Sequence, residues 1–120
     1  MNRISSGKQG ELIAQKYLQQ AGFSIIATNW RCEFAEVDII ALNKDEIVFF
    51  EVRSKSTKDF GTPAESITRR KRQKLICAAE QYLSENPEAP ADWRIDFIGV
   101  EFLGSSHQLE HIPYAVTRDD

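Results

Sequence analysis

Hydrophobic side chains in the first half of the chain follow two different spacings. Residues 6–21 place small and apolar side chains on one helical face, and Gly22 follows as a stop signal, so a helix is predicted here. The later segments are rich in Ile, Val and Phe and are bounded by turn residues, which is typical of strands. The predicted strands are residues 23–32, 36–42 and 47–55.

The second half of the chain begins with a long helical pattern. Pro63 suits the first position of a helix, where its missing N–H costs nothing, and Thr62 with Glu65 matches a capping box. We therefore expect a helix from Pro63 to about Asn86. The remaining predicted elements are a strand at 94–102, a weaker strand at 110–116 and a frayed tail at 117–120.

The order of these elements, α-β-β-β-α-β(-β), predicts the fold class. A meander of strands followed by a helix and a further strand indicates an α/β domain, with a mixed β-sheet covered by helices on both faces. The length of 120 residues fits one domain, residues 1–120. A chain of this length with 42% hydrophobic residues can bury one core without disulfides or a structural metal.

Composition adds an expectation about location. Cys32 and Cys77 are too few for a disulfide scaffold and have no metal-ligand spacing, which fits a reducing compartment. The N-terminal residues form no apolar signal region, and no apolar run is long enough to cross a membrane. We expect a cytoplasmic protein without a membrane partner. The net charge of −3 alone does not indicate polyanion binding, although basic residues concentrate at 53–58 and 69–74.

Charged residues at one end of the second and third predicted strands are unusual, because the rest of both strands is apolar. If residues 43–46 form the loop, Asp38 lies opposite Glu51 and Glu36 lies opposite Arg53. Like charges directly opposite each other destabilise a sheet. The Asp38–Glu51 pair becomes favourable when a divalent cation lies between the carboxylates, since Mg²⁺ prefers such oxygen ligands.

Neighbouring residues extend this candidate site. Arg53 and Lys55 return to the same face of the third strand, where they can stabilise charge on a phosphoryl group. Glu11 lies at the edge of the apolar stripe of the first helix and is a candidate third acid; Gly7 and Gly10 would let that helix approach the sheet. Alternatively, Glu36 forms a plain ion pair with Arg53, and Lys55 or a helix N-terminus neutralises Asp38.

The basic run RRKRQK lies in the predicted second helix. Lys71 is one turn from apolar residues and is predicted to face the core side near the carboxylates, whereas the other basic residues face outward. Contact with nucleic acid phosphates would use such residues, and the alternative is a solvated helix face. The candidate nucleic-acid-binding residues are Arg69, Arg70, Lys71, Arg72 and Lys74.

Three further polar residues stand outside this pattern. Asp96 lies inside the apolar segment RIDFIGV and is a candidate buried polar residue. His107 and His111 lie in a loop and strand segment, where they would not share a helical face, so we expect surface residues and not zinc ligands.

The spacing of Asp38, twelve residues and Glu51-Val52-Arg53 resembles the PD-(D/E)xK nuclease signature. Longer segments are similar, in the same order, to the YraN-like family of bacterial predicted endonucleases, which are distantly related to archaeal Holliday junction resolvases. The similar segments are GELIAQKYLQQAGFSIIATNWR, EVDIIAL, IVFFEVRSKS, FGTPAESITRRKRQKLICAAEQYL and RIDFIGV. The resemblance implies a restriction-endonuclease-like core.

The resemblance also implies roles for the acidic residues. Asp38 matches the metal-binding aspartate, Glu51 matches the acidic position of (D/E)xK, and Glu11 matches the acidic residue of the first helix. These three would hold Mg²⁺ or Mn²⁺. Glu36 matches a supporting acidic residue just before that aspartate.

The basic residues depart in part from the nuclease signature. Arg53 occupies the place of its lysine, while Lys71 matches a basic position of the YraN-like second helix. Arginine stays protonated in proteins, so Arg53 can hold charge but cannot act as a general base. Lys55 lies on the same face and would substitute, so Asp38, Glu51, Arg53 and Lys55 form the candidate catalytic set.

The leading hypothesis is a metal-dependent endonuclease-like protein that acts on nucleic acid phosphodiester bonds. DNA is favoured over RNA, with branched DNA as a candidate substrate by analogy with the resolvases, and two symmetric cuts would suggest a homodimer. One alternative is a nucleic-acid-binding module that kept the fold and lost the chemistry. Another is a protein-interaction partner with no nucleic acid role.

Overall fold

Two helices and five strands make up the part of the chain that this computed structural model describes, which is residues 5–33, 35–56 and 67–117. Their order confirms the predicted α-β-β-β-α-β-β sequence of elements. The elements are α1 (Ser6–Gln20), β1 (Ser24–Arg31), β2 (Glu36–Asn43), β3 (Glu46–Ser56), α2 (Arg69–Glu85), β4 (Asp92–Leu103) and β5 (Ser106–Val116).

The five strands form one mixed sheet in the order β1-β2-β3-β4-β5. β3 and β4 are parallel, while the other neighbouring strands are antiparallel. A parallel pair needs a long crossover, which is the connection that contains α2. The mixed sheet predicted from the sequence is therefore confirmed.

Each helix covers one face of the sheet. Ala14 and Leu18 of α1 pack in a buried cluster with Ile39 and Phe50, and α2 packs on the opposite face with a second cluster. The second cluster contains Leu75, Ala78, Ala79, Ile40, Ile47, Phe49 and Ile95. Helices on both faces are thus confirmed. Val37 departs from the expected alternation, because it belongs to the α2 cluster and not to the cluster of Ile39.

The start of α2 differs from the prediction. Thr68 has an extended backbone, and its hydroxyl accepts the N–H of Lys71 at 3.1 Å, so Thr68 is the N-cap and the helix begins at Arg69. A continuous helix from Pro63 is therefore wrong at residues 67 and 68. Thr62 and Glu65, the predicted capping box, lie outside the described residues.

The last strand is longer than predicted, because a two-residue turn after Leu103 lets the pairing with β4 begin at Ser106. Leu103 pairs with Ser106, and Gly104 has a φ of 68°, which glycine adopts without steric cost. β5 therefore begins at Ser106 and not at residue 110. The predicted frayed tail lies, apart from Thr117, outside the described residues. Neither described helix is long and apolar enough to cross a membrane.

Candidate active site

The candidate site lies where β2 and β3 part. Their main-chain register runs from Asn43–Glu46 to Ile39–Phe50, which confirms the predicted pairing of Leu42 with Ile47. The predicted four-residue loop at 43–46 is wrong, because Asn43 and Glu46 pair with each other and leave a two-residue turn. Beyond Phe50, β3 no longer pairs with the main chain of β2. Instead, Oδ2 of the Asp38 side chain accepts the N–H of Val52 at 2.7 Å. This hydrogen bond fixes the Asp38 carboxylate at the fork between the two strands.

Asp38 and Glu51 lie side by side at this fork. Burial, a side-chain hydrogen bond with Glu51 and the negative charge of Glu51 together raise the pKa of Asp38 from 3.8 to about 8. Two carboxyl groups at one buried position cannot both stay ionised at low cost, so the raised pKa of Asp38 favours a proton shared between Asp38 and Glu51 near neutral pH. The predicted juxtaposition of the two acids is confirmed.

Two basic side chains converge on the same oxygen of Glu51. Arg53 Nη2 lies 3.3 Å and Lys71 Nζ lies 3.5 Å from Oε2 of Glu51, whose side chain is only 5% exposed. Arg53 follows Glu51 by two residues on β3, while Lys71 comes from the first turn of α2. A buried carboxylate requires such compensation, because an unpaired charge in the interior is costly.

Glu11 and Glu36 complete the acidic cluster, and Asn29 joins them. With its amide oriented to satisfy both partners, the Asn29 nitrogen donates to Oε1 of Glu11 at 2.9 Å and to Oε1 of Glu36 at 2.9 Å. Arg31 Nε lies 3.0 Å from Oε2 of Glu36. Glu36 therefore pairs with Arg31, and the alternative of a Glu36–Arg53 pair is wrong.

Asn29 is the site residue that the sequence interpretation missed. Its backbone has a φ of 52°, in the left-handed region that asparagine tolerates better than most residues. An asparagine within a predicted strand is itself a signal, because strands are depleted in this residue.

The N-terminal half of α1 brings Glu11 to the cluster. A Cβ at Gly10 would lie 3.1 Å from Cβ of Ser54, so the absence of a side chain allows the predicted close approach of helix and sheet. Gly7 faces open space and is not needed for it. Burial raises the pKa of Glu11, and the nearby Asp38 carboxyl raises it further.

A small polar cavity of about 170 Å³ opens over this cluster. It is lined by Glu36, Asp38, Glu51, Val52, Arg53 and Lys71. Nε of Arg53 is buried and has no hydrogen-bond partner within residues 5–33, 35–56 and 67–117. Among the residues of known placement, no three His, Cys, Asp or Glu side chains are arranged so as to hold a metal ion. The carboxylate oxygens of the cluster are instead turned toward Val52, Asn29 and the basic side chains.

Lys55 and most of the basic run lie apart from this cavity. Lys55 Nζ is 3.7 Å from Oε2 of Glu101, its neighbour in the parallel register, so Lys55 does not neutralise Asp38. Lys71 alone of the predicted nucleic-acid-binding set lines the cavity. Arg69, Arg70 and Lys74 are exposed, and Arg72 is half-buried.

A second polar network lies on the α1 face of the sheet. Asp96 is fully buried, and its carboxylate accepts hydrogen bonds from Arg94 Nε at 3.0 Å and from the Tyr114 N–H at 3.0 Å. His111 Nε2 lies 2.7 Å from Oδ2 of Asp96, and its Nδ1 lies 2.8 Å from the Tyr17 hydroxyl. The buried position of Asp96 is confirmed. The expectation that His111 is a surface residue is wrong.

The mixed sheet, the helices on both faces and the acidic fork define a restriction-endonuclease-like α/β protein. Hjc of Archaeoglobus fulgidus, described as a Holliday junction resolvase from an archaeal hyperthermophile, has the same kind of fold. The two structures align with a TM-score of 0.55 and 19% sequence identity, over 92% of this chain and 74% of Hjc. At this identity the likeness concerns the fold.

The chain belongs to the uncharacterised protein family UPF0102, whose sequence model matches residues 10–100. A UPF0102 protein of Desulforamulus reducens is 42% identical over 120 residues, covering 97% of this chain and 98% of the relative. A UPF0102 protein of Roseiflexus castenholzii is 37% identical over 118 residues, covering 95% and 94%. The resemblance to the YraN-like family is thereby confirmed.

Proposed function

We infer that the protein is a divalent-metal-dependent endonuclease that acts on nucleic acid phosphodiester bonds. The observation that carries this proposal is the pair of adjacent carboxyl groups, Asp38 and Glu51, at the fork of β2 and β3. With both groups ionised such a pair is unfavourable, and a cation between them would take the place of the proton that they share.

The carboxylate oxygens at the fork are the type of donor that a hard cation such as Mg²⁺ or Mn²⁺ prefers, although the side chains would have to turn toward it. Asp38 and Glu51 would be direct ligands, and Glu11 would contribute directly or through water, since Mg²⁺ commonly keeps several waters beside one or two carboxylates. Glu36 would support the site through Asn29, which bridges it to Glu11. When bound, the cation would supply Lewis-acid activation of a water and neutralise phosphate charge.

The basic residues of the cavity would bind the scissile phosphate. Nε of Arg53 is buried and has no hydrogen-bond partner among the described residues, so it is free to donate to a phosphate oxygen. Lys71 lines the same cavity and would hold a second oxygen. Arg53 would stabilise charge without accepting a proton. Lys55 is paired with Glu101, so it would supply positive charge to the phosphate only when that pair opens.

The exposed basic residues of α2 would position the nucleic acid. Arg69, Arg70 and Lys74 lie on the helix that delivers Lys71, and such contacts to the phosphate backbone are independent of sequence. Arg72, which is half-buried, is the fifth residue predicted to bind nucleic acid. The description of Hjc as a Holliday junction resolvase supports DNA over RNA and branched DNA in particular, and a homodimer would place two sites for paired cuts.

Cleavage assays with the purified chain test this proposal. Branched, single-stranded and duplex DNA would be incubated with the wild type in Mn²⁺ and in excess EDTA. We expect Mn²⁺-dependent cleavage of at least one DNA, and its loss in Asp38→Asn and Glu51→Gln prepared identically. Cleavage that persists in both variants would come from a contaminant or another site and would end the assignment.

One observation favours a second candidate, a binding module without catalysis. Glu51 is already neutralised by Arg53 and Lys71, and Arg53 replaces the lysine of the nuclease signature. In that case calorimetry would show no heat with Mn²⁺, and the affinity for DNA would be the same with and without the metal.

A further inference from the structure

We propose that Lys71 and Arg53 are internal counter-ions of Glu51 that nucleic acid phosphates displace, so that metal and nucleic acid bind cooperatively. This inference rests on the proposed function and adds its regulation. It would explain how four acids gather at one fork although, among the described residues, no three acidic side chains are arranged around a common metal position.

Glu51 has two basic partners on one side-chain oxygen. Both cations reach the same oxygen, Oε2, with Arg53 at 3.3 Å and Lys71 at 3.5 Å. The carboxylate is 5% exposed, so it depends on protein partners and not on water for compensation. Two positive groups on one carboxylate oxygen leave an excess of positive charge in its immediate surroundings.

This excess of positive charge would weaken the binding of a cation at the fork. A divalent ion at Glu51 and Asp38 would lie beside two fixed positive groups, and like charges at such distances repel each other. Metal affinity is therefore weak while Lys71 and Arg53 remain on Glu51. It rises when either group turns away.

An anion at the mouth of the cavity would draw Arg53 and Lys71 away from Glu51. The side chains of Arg53 and Lys71 are 40% and 28% exposed, so both can reach an anion at the cavity mouth without movement of the backbone. A phosphodiester provides that anion and would also satisfy Nε of Arg53. By thermodynamic linkage, nucleic acid that raises metal affinity must itself bind more tightly when metal is present.

Lys71 is the better residue for a test, because it belongs to α2 and not to the strand that carries Glu51. Calorimetric titration with Mn²⁺, without nucleic acid, would compare the wild type with Lys71→Met, Lys71→Arg and Lys16→Met. Lys16 is an exposed lysine of α1, about 140° around the helix from Glu11, and its replacement removes the same charge. Thermal melting by circular dichroism would check that each variant is folded.

We expect Lys71→Met to bind Mn²⁺ about threefold or more tightly than the wild type, within the range of a partly exposed charge pair. Lys71→Arg and Lys16→Met should stay close to the wild type. A 12-nucleotide single-stranded DNA, checked for integrity after each titration, should then raise the Mn²⁺ affinity of the wild type more than that of Lys71→Met.

The contrary outcomes separate this inference from the proposed function. If Lys71→Met binds Mn²⁺ no more tightly than the wild type, the counter-ion role is wrong, while the nuclease assignment still depends on the cleavage assay. If no variant binds Mn²⁺ with or without the DNA, both the counter-ion role and the metal site are wrong.

Discussion

The carboxylate of Asp38 accepts the backbone N–H of Val52 at 2.7 Å, across the fork at which β2 and β3 part. One side chain thus has two roles, since it satisfies a strand donor and places an acid beside Glu51. The position of the acid is determined by the sheet itself, which is more rigid than a loop. Structure and proposed chemistry therefore depend on the same residue, and stability measurements can test the geometry of the site.

The stability of the metal-free protein should fall as the pH rises through the neutral range. The folded protein raises the pKa of Asp38 from 3.8 to about 8, so between these values it binds more protons than the unfolded chain. The free energy of unfolding then decreases with pH, by at most about 1.4 kcal/mol per pH unit for one proton. Urea unfolding in EDTA between pH 5 and pH 9 measures this slope.

Asp38→Asn isolates the contribution of Asp38. The amide keeps an acceptor for Val52 and a donor for Glu51 but cannot ionise, so the variant should gain stability relative to the wild type as the pH rises. The gain should level off above about pH 8. Asp45→Asn, in the exposed β2–β3 turn, is the matched control and should keep the wild-type slope. Parallel curves for wild type and Asp38→Asn would show that the two acids do not share a proton.

A side chain at Gly10 should separate α1 from the sheet. Its Cβ would lie 3.1 Å from Cβ of Ser54 and 3.9 Å from Cβ of Val100, so Gly10→Val should destabilise the protein by about 1–3 kcal/mol through overpacking. Gly7→Val, in the same helix but facing open space, should stay within about 0.5 kcal/mol of the wild type. Equal losses in urea unfolding would mean that α1 does not contact β3 as described.

The hydrogen bond between Tyr17 and His111 should contribute to holding α1 on the sheet. Tyr17→Phe leaves Nδ1 of His111 without its partner at 2.8 Å, and we expect a loss of about 1 kcal/mol in the free energy of unfolding. Tyr82→Phe is the control, because its ring contacts with Trp30 and Phe49 do not need the hydroxyl. If thermal unfolding gives the same stability for the wild type and both variants, the hydrogen bond between Tyr17 and His111 does not contribute to stability.

The hydrophobic pattern was sufficient for most of the fold. Apolar residues alternate between the two faces of each strand and lie on one face of each helix. The β2–β3 register and the helix-covered mixed sheet were therefore predictable. The start of α2 was not, because Thr62 and Thr68 are both suitable N-caps and local sequence does not decide between them. The early start of β5 depends on the two-residue turn at Gly104, a short signal within polar residues.

The candidate site was predictable where it follows from strand alternation. The register of the β2–β3 hairpin is sufficient to predict that Asp38 and Glu51 lie together. The partners of Glu36 and Lys55 come from β1 and β4, and the sequence of the hairpin does not indicate where those strands lie in the sheet. His111 has its role because β5 pairs with β4 and brings it to Asp96, 15 residues away in sequence. Contacts of this kind come from topology, which local periodicity does not encode.

Asn29 provides a last test of the acidic cluster. Asn29→Asp would replace the two N–H donations to Glu11 and Glu36 by a third negative charge between them. Without metal at pH 8, we expect a loss of about 1 kcal/mol or more in the free energy of unfolding, because two half-buried carboxylates lose their hydrogen-bond partner and gain a like charge beside them. The loss should be smaller at pH 5, because the raised pKa of Glu11 allows part of the cluster to take up protons.

Asn29→Gly distinguishes the contribution of the backbone conformation at position 29 from that of the side-chain amide. Glycine adopts the φ of 52° at least as readily as asparagine and adds no charge, so this variant loses only the two hydrogen bonds. We expect its loss to be smaller than that of Asn29→Asp and nearly independent of pH. If Asn29→Asp is as stable as the wild type at pH 8, the amide does not bridge Glu11 and Glu36, and α1 approaches the fork without that link.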